Sequence, residues 1–379
     1  MKYHSSSKST RRKFLYNLGL TTLSLPALSS LYACSGKPSG KKEQSVNDGK
    51  KDKLGIALVG LGSYAGGQLA PALQQTEHCY LAGIVTGTPS KIPEWQEKYS
   101  IPDKNIYSYE NFDSIRDNKD IDIVYVVLPN SMHAEYTIRA AQAGKHVICE
   151  KPMAITVEDC NRMIDACNKA GKMLSIGYRL HFEPYNLEMV RLAQEKEFGA
   201  LKKMSSAFGI HTSPGIWRLN KELAGGGPLM DVGIYCVQAF CYVSGMEPLA
   251  VTAKEGPKTD LEKFKEVEES LTWQFEFPNS LVAEGMCSYS ESICNLRAEA
   301  EQGWFQLEPA YYYGGLKGET SKGKINFPQV NQQARQMDDF ALAIKNNRPS
   351  PVPGEMGRRD VKLLQAIYEA MQTGKRITL

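Results

Sequence analysis

From residue 54 the chain alternates short, almost wholly apolar runs with longer stretches whose apolar positions recur at helical spacing. The runs 54–59 (LGIALV), 80–85 (YLAGIV), 121–128 (IDIVYVVL) and 145–148 (KHVI) present hardly any polar face, which predicts parallel strands covered on both sides. Residues 131–144 and 156–170 read as helices; in the second, Val157, Cys160, Met163, Ile164 and Cys167 share a face and Gly171 stops it. This rhythm predicts an α/β domain over 54–176. Past 177 the rhythm changes. Strand-like runs at 201–210, 248–254, 270–277, 281–289, 293–300 and 303–308 follow one another with little helix between, predicting an α+β domain over 177–379 built on a large, mainly antiparallel sheet. Helical patterns at 331–346, with Met337, Phe340, Ala341 and Ile344 inward, and at 358–373, with Val361, Leu364 and Ile367 inward, close it.

Charge narrows the possibilities only slightly. A net +3, from 45 basic and 42 acidic residues, gives no reason to expect a nucleic-acid partner, and the excess sits among the lysines before residue 54. Outside the amino-terminal segment no run approaches the roughly 18 apolar residues of a membrane-spanning helix. Residues 1–34 read as an export signal, with Lys2, Lys8, Arg11, Arg12 and Lys13 before an apolar region at 14–31. The order STRRKFL at 9–15 resembles a twin-arginine signal, which carries folded proteins to the periplasm. LYAC at 31–34 resembles a lipoprotein cleavage box that would leave Cys34 acylated as a membrane anchor; Tyr32 replaces the usual small residue, and cleavage with release is the alternative. Residues 35–53, polar and rich in Gly, Ser and Lys, predict a disordered tether. The nine cysteines show no metal-ligand spacing and read as reduced core hydrophobes, with no metal expected.

The chemistry clusters at the strand ends. Gly60-Leu61-Gly62-Ser63-Tyr64-Ala65 follows a strand and opens a helix as G-x-G-x-x-A: Gly60 for a tight turn, Gly62 for close approach to a pyrophosphate, Ala65 for helix packing. After the second strand, where an NAD site usually carries Asp or Glu, stand Thr86, Thr88, Ser90 and Lys91, which suit the 2′-phosphate of NADP; NAD is the alternative. The third strand ends at Pro129-Asn130-Ser131-Met132-His133, with Ser131 as a helix cap and Asn130 and His133 towards the nicotinamide side. The fourth delivers Glu150 and Lys151 to Pro152, so that Lys151 projects from the carboxyl edge of the sheet. In 217–235 (WRLNKELAGGGPLMDVGIY), a helix over 228–243 places Asp231 and Tyr235 on one face, and the three glycines read either as a close approach to ligand or as a hinge.

With VGLGSYA (59–65), LPNSMHAEY (128–136), AGKHVICEKPMA (143–154), IGYR (176–179), the 217–235 stretch and GEMGRRDVKLLQAIYEA (354–370), the chain from about Leu54 onward resembles the Gfo/Idh/MocA oxidoreductases, and within them the glucose-fructose oxidoreductase branch. The resemblance implies a Rossmann domain, an open sheet used to form a homodimer or homotetramer, and export with NADP already tightly held. It implies catalytic roles for Lys151, Asp231 and Tyr235 and places Arg179, Trp217 and Arg218 at the cleft. The cofactor set then comprises Gly60, Leu61, Gly62, Ser63, Tyr64, Thr86, Lys91, Pro129, Asn130, His133, Glu150, Lys151, Arg179, Trp217 and Arg218.

These residues suit hydride transfer from a sugar. A phenol ordinarily holds its proton until about pH 10, so Tyr235 needs a neighbouring cation to act as a base, and Lys151 is expected to supply it while Asp231 orients the pair. Outside the cytoplasm no cofactor pool exchanges oxidised for reduced nicotinamide. An exported enzyme is therefore expected to oxidise one sugar to a lactone and reduce a second to a polyol on the same cofactor. An NAD-assisted glycoside hydrolase and a non-catalytic sugar-binding protein are the competing readings.

Overall fold

The computed structural model describes residues 52–379. The expected export signal, Cys34 and all but the last two residues of the expected tether lie outside the described residues. Lys53, at the end of that tether, donates from Nζ to the Thr76 carbonyl at 2.8 Å.

Six parallel strands form the first layer: β1 (Leu54–Val59), β2 (Cys79–Val85), β3 (Ile106–Tyr107), β4 (Ile123–Val126), β5 (His146–Cys149) and β6 (Leu174–Ile176). Every residue of β1 and β4 is buried, as the lack of a polar face requires. The order β3-β2-β1-β4-β5-β6 reverses direction between β1 and β4, so their carboxyl ends flank a crevice of the kind where open α/β sheets bind ligands. The glycine turn, Pro129, Thr86 and Lys151 all leave the sheet at that edge. Helix Val157–Lys169 begins as its sequence predicts, with the Thr156 hydroxyl accepting from the Asp159 N–H at 3.1 Å. The Ser131 cap does not form. Residues Asn130–Met132 are themselves a tight 3-10 turn running into helix His133–Gln142, so no side chain stands in the extended cap conformation.

The second layer is a nine-stranded sheet: β7 (Leu201–His211), β8 (Ala250–Glu255), β9 (Ser270–Glu276), β10 (Val282–Ser288), β11 (Ser290–Ala300), β12 (Gly303–Leu307), β13 (Gly318–Thr320), β14 (Gly323–Ile325) and β15 (Ile377–Thr378). Its order is β14-β13-β12-β11-β7-β10-β9-β8-β15, antiparallel except where β7 meets β10. The six longer strands fall where alternation predicts them. Strands β13, β14 and β15, two or three residues each, are too short to show any period. Helix Ile234–Ser244 lies against this sheet, with Phe240 and Phe275 in edge contact at 6.5 Å.

One element departs from the expected division at residue 176. Helix Gln332–Lys345 turns its apolar face, Ala334, Met337, Phe340 and Ala341, onto Ile56, Leu58, Leu81, Ile123 and Ile148 of the parallel sheet. The chain thus returns to cover the first layer; the periodicity identifies a buried face but not which sheet buries it. The eight described cysteines are all reduced and buried, packed as small apolar groups.

Candidate active site

The crevice is a cavity of about 700 Å³ lined from both layers. On one wall the chain leaves β1 through Gly60, whose φ is +94° and where an added Cβ would come within 2.5 Å of the Val127 carbonyl. Only glycine makes that turn. At Gly62 an added Cβ would meet no protein atom within 4 Å, so the room beside it belongs to the cavity and not to packing. Ala65 is fully buried behind it. This arrangement fits a dinucleotide, which needs backbone exposed beside its pyrophosphate at the start of the following helical segment. Lys91 reaches across from the loop after β2 and donates to the Leu61 carbonyl at 2.8 Å, fixing a cation at the glycine turn. Thr86 Oγ1 accepts from the Thr88 N–H at 3.0 Å and stiffens the same loop.

At the other wall the helix carrying Asp231 and Tyr235 starts with a widened turn, Leu229–Gly233, before regular winding begins at Ile234. Asp231 gathers charge. Lys151 Nζ lies 3.3 Å from its Oδ1 and donates to its backbone carbonyl at 2.6 Å, while Arg218 Nε lies 3.0 Å from Oδ2 and the Tyr289 hydroxyl donates to Oδ2 at 3.2 Å. Burial pushes the Asp231 carboxyl up, but the Lys151 and Arg218 cations outweigh it and hold the group below the usual carboxylate range. It is therefore an anion at neutral pH.

Every residue of the expected cofactor set lines this cavity except Arg179. Two that do line it are already engaged by protein: the Asn130 amide donates to the Ala224 carbonyl at 2.8 Å, and both ring nitrogens of His133 face carbonyls, of Pro152 and Leu128, at 2.9 Å each. Burial holds the His133 imidazole below its ordinary pKa, and a neutral ring can donate to only one of these two carbonyls at a time. Glu150 accepts from the Tyr125 hydroxyl at 2.7 Å, and burial pushes its carboxyl up.

Three expectations change. Arg179 is 2% exposed and lies behind Tyr235, donating to the Tyr235 hydroxyl at 3.3 Å. Lys151 is the cation expected beside Tyr235, but its ammonium lies over the ring, 4.8 Å from the centroid, with its hydrogen bonds directed at Asp231. The glycines at 225–227 face protein and not ligand. An added Cβ would lie 2.6 Å from Ile155 at Gly225, 2.0 Å from the Tyr368 hydroxyl at Gly226 and 2.6 Å from the Glu268 carbonyl at Gly227. The Glu268 carboxylate accepts the N–H groups of Gly227 and Leu229, at 3.0 and 3.2 Å, and so fixes the start of the helix.

Tyr313, Tyr289 and Glu268 carry no motif and escaped sequence reasoning. Tyr313 lines the cavity and meets Tyr64 of the glycine turn at 5.8 Å between ring centroids; the tyrosine run at 311–313 was the one available signal.

A family model described as an oxidoreductase family with an NAD-binding Rossmann fold matches residues 54–178, and one described as the GFO/IDH/MocA C-terminal domain matches residues 186–302. The chain belongs to the Gfo/Idh/MocA oxidoreductases. Its relatives include the NADP(+) D-xylose 1-dehydrogenase of Haloarcula marismortui, 28% identical over 89% of this chain and 96% of that protein. The D-glucoside 3-dehydrogenase of Escherichia coli is 31% identical over 68% of this chain and 79% of that one. Among solved structures, the aldose-aldose oxidoreductase from Caulobacter crescentus, complexed with glycerol, is 42% identical with a TM-score of 0.84, over 86% of this chain and 100% of that one. As a Gfo/Idh/MocA member the chain is an NAD(P)-dependent oxidoreductase acting on CH–OH groups.

The two glycines of the turn should separate on mutation. Gly62→Ala should leave the thermal midpoint nearly unchanged and weaken nucleotide binding about tenfold, equivalent to ~1.4 kcal/mol. Gly60→Ala should itself destabilise the fold by about 1–3 kcal/mol through backbone strain alone. Parallel thermal unfolding and nucleotide titration check both.

Proposed function

We propose that this Gfo/Idh/MocA member is an exported sugar oxidoreductase that prefers NADP, keeps the cofactor bound, and couples oxidation of an aldose to a lactone with reduction of a second carbonyl sugar. The observation that carries this reading is that the glycine turn Gly60–Tyr64 lines the same cavity as Lys151, Asp231 and Tyr235. Relatives named for D-xylose and for aldoses support a sugar as substrate. When bound, the nicotinamide accepts or returns the hydride. Tyr235 exchanges the proton of the reacting hydroxyl. Lys151 has three N–H bonds, two of them directed at Asp231, and the third serves the reacting oxygen as charge develops there. Asp231 holds Lys151 in place, and Arg218 shares its charge.

Tyr235→Phe should retain nucleotide binding and lose about 10²–10⁴-fold in turnover, the range of a positioned proton-transfer group. Incubated with mixed aldoses and ketoses, the wild-type protein should yield lactone and polyol in equal amounts by mass spectrometry. Release of a free aglycone without net redox change would instead identify a glycoside hydrolase.

The NADP preference rests on Lys91 and on the absence of an acid after β2. A charge-assisted contact contributes about 1.5–3 kcal/mol, so Lys91→Ala should weaken NADP about tenfold or more while leaving NAD little changed. Equal losses in a side-by-side titration would show that Lys91 serves only to brace Leu61.

Export rests on the Arg11-Arg12 pair. Replacing both with lysine should retain the protein in the cytoplasm in a fractionation assay, and palmitate labelling that disappears in Cys34→Ser would establish the anchor.

A further inference from the structure

Arg179 stands at the start of the turn Arg179–Phe182, just past the carboxyl end of β6, with almost no contact with solvent. Its guanidinium donates to the backbone carbonyls of Tyr311 and Tyr312, to Gln332 Oε1 and to the Tyr235 hydroxyl, while its Nε finds no partner. Among the described residues no carboxylate pairs with it. The guanidinium also lies over the Tyr235 and Tyr313 rings, 5.2 and 4.5 Å from their centroids. A buried cation without a directly paired carboxylate is costly, and a negative charge forming on the Tyr235 oxygen would offset that cost.

The hydrogen-bond inventory then decides a direction. Guanidinium donates and never accepts, so the Tyr235 oxygen accepts from Arg179 and its own hydrogen must point elsewhere. Lys151, over the ring face, also only donates. Among the described residues no protein acceptor takes the Tyr235 O–H, and Tyr235 lines the cavity.

We propose that Arg179 is the positioning residue of the reaction: it aims the Tyr235 O–H into the cavity and faces the phenolate left when that proton departs. This rests on the acid/base role of Tyr235 proposed above. In the reductive direction, hydride from reduced nicotinamide reaches the carbonyl carbon of the sugar, and the Tyr235 proton moves to the carbonyl oxygen to form the product hydroxyl. The O–H electron pair stays on the phenolate oxygen, opposite Arg179. Oxidation is the reverse. Lys151 and Arg179 thereby divide the work: Lys151 serves the substrate oxygen and Arg179 the tyrosine oxygen.

A double-mutant cycle tests this, with Arg179→Met and Arg179→Lys each made in the wild-type and Tyr235→Phe backgrounds, reading kcat, KM and nucleotide affinity. Arg179→Met should lower kcat about 10²-fold, the loss typical of one charge-stabilising donor, with KM and nucleotide affinity within about threefold. Arg179→Lys should recover part of kcat. In the Tyr235→Phe background either change should cost less than about threefold, because residues acting as a unit are not additive. Equal losses in both backgrounds would overturn the proposal and assign Arg179 to holding residues 311–312 in place. A fall in nucleotide affinity matching the fall in turnover would overturn it in favour of a cofactor contact. If Arg179→Met does not fold, the Arg179→Lys cycle decides by the same criterion. Near-normal turnover in Tyr235→Phe alone would remove the acid/base reading itself, a result distinct from any of these.

Discussion

The carboxylate of Asp231 is the point on which the site depends. It draws Lys151 from the edge of the parallel sheet, Arg218 from the turn Trp217–Leu219 and the Tyr289 hydroxyl from between β10 and β11, so one anion ties both walls of the cavity together. The side chains of Lys151 and Asp231 are only 13% and 16% exposed, which keeps their attraction from being screened as a surface pair would be. Removing Asp231 would leave the Lys151 and Arg218 charges without their carboxylate, a loss of about 3–5 kcal/mol where burial is complete and less here, whereas removing Lys151 would leave Asp231 still paired with Arg218. The net favourable geometry shows in the carboxyl itself, which stays ionised although burial opposes it.

That anion is held in turn by what lies behind it. Glu268 fixes the N–H groups that begin the helix, and glycines at 225–227 leave room for Glu268, Tyr368 and Ile155 to close against the backbone. Any side chain at Gly226 would collide with the Tyr368 hydroxyl and push the helix start outward. The position of Asp231 is therefore set by packing on the side of the loop away from the cavity. This is why a stretch of three glycines, read as flexible or ligand-facing, is in fact a rigid seat.

The parts legible in the sequence were those where one physical requirement leaves a local trace. Strands of the parallel sheet lack a polar face because both sides are covered; Gly60 and Gly62 are spaced for a turn and an approach; Lys151 and Asp231 stand at element ends, where charges meet a cleft. What stayed hidden depends on contacts distant in sequence. Phe340 and Met337 announce a buried face, but only the fold shows that the parallel sheet buries it. Arg179 follows a strand just as Lys151 does, yet Tyr311, Tyr312 and Gln332, over 130 residues away, enclose it. Tyr289 reaches Asp231 across 58 residues of sequence.

The placement of Lys151 over the Tyr235 ring follows from the same competition. An ammonium has three donors, and a carboxylate with an adjacent backbone carbonyl attracts two of them more strongly than a neutral phenol does. The phenol oxygen is left to the next cation, and Arg179 is close enough to fill that place because residues 311–312 hold its fork. Both cations are held by protein acceptors, so under the proposed mechanism charge developing on the substrate and tyrosine oxygens meets them already in place, the condition under which electrostatic stabilisation is most effective. A single lysine shared between carboxylate, phenol and substrate would have to break one of these contacts at each proton transfer; two cations with separate anchors do not.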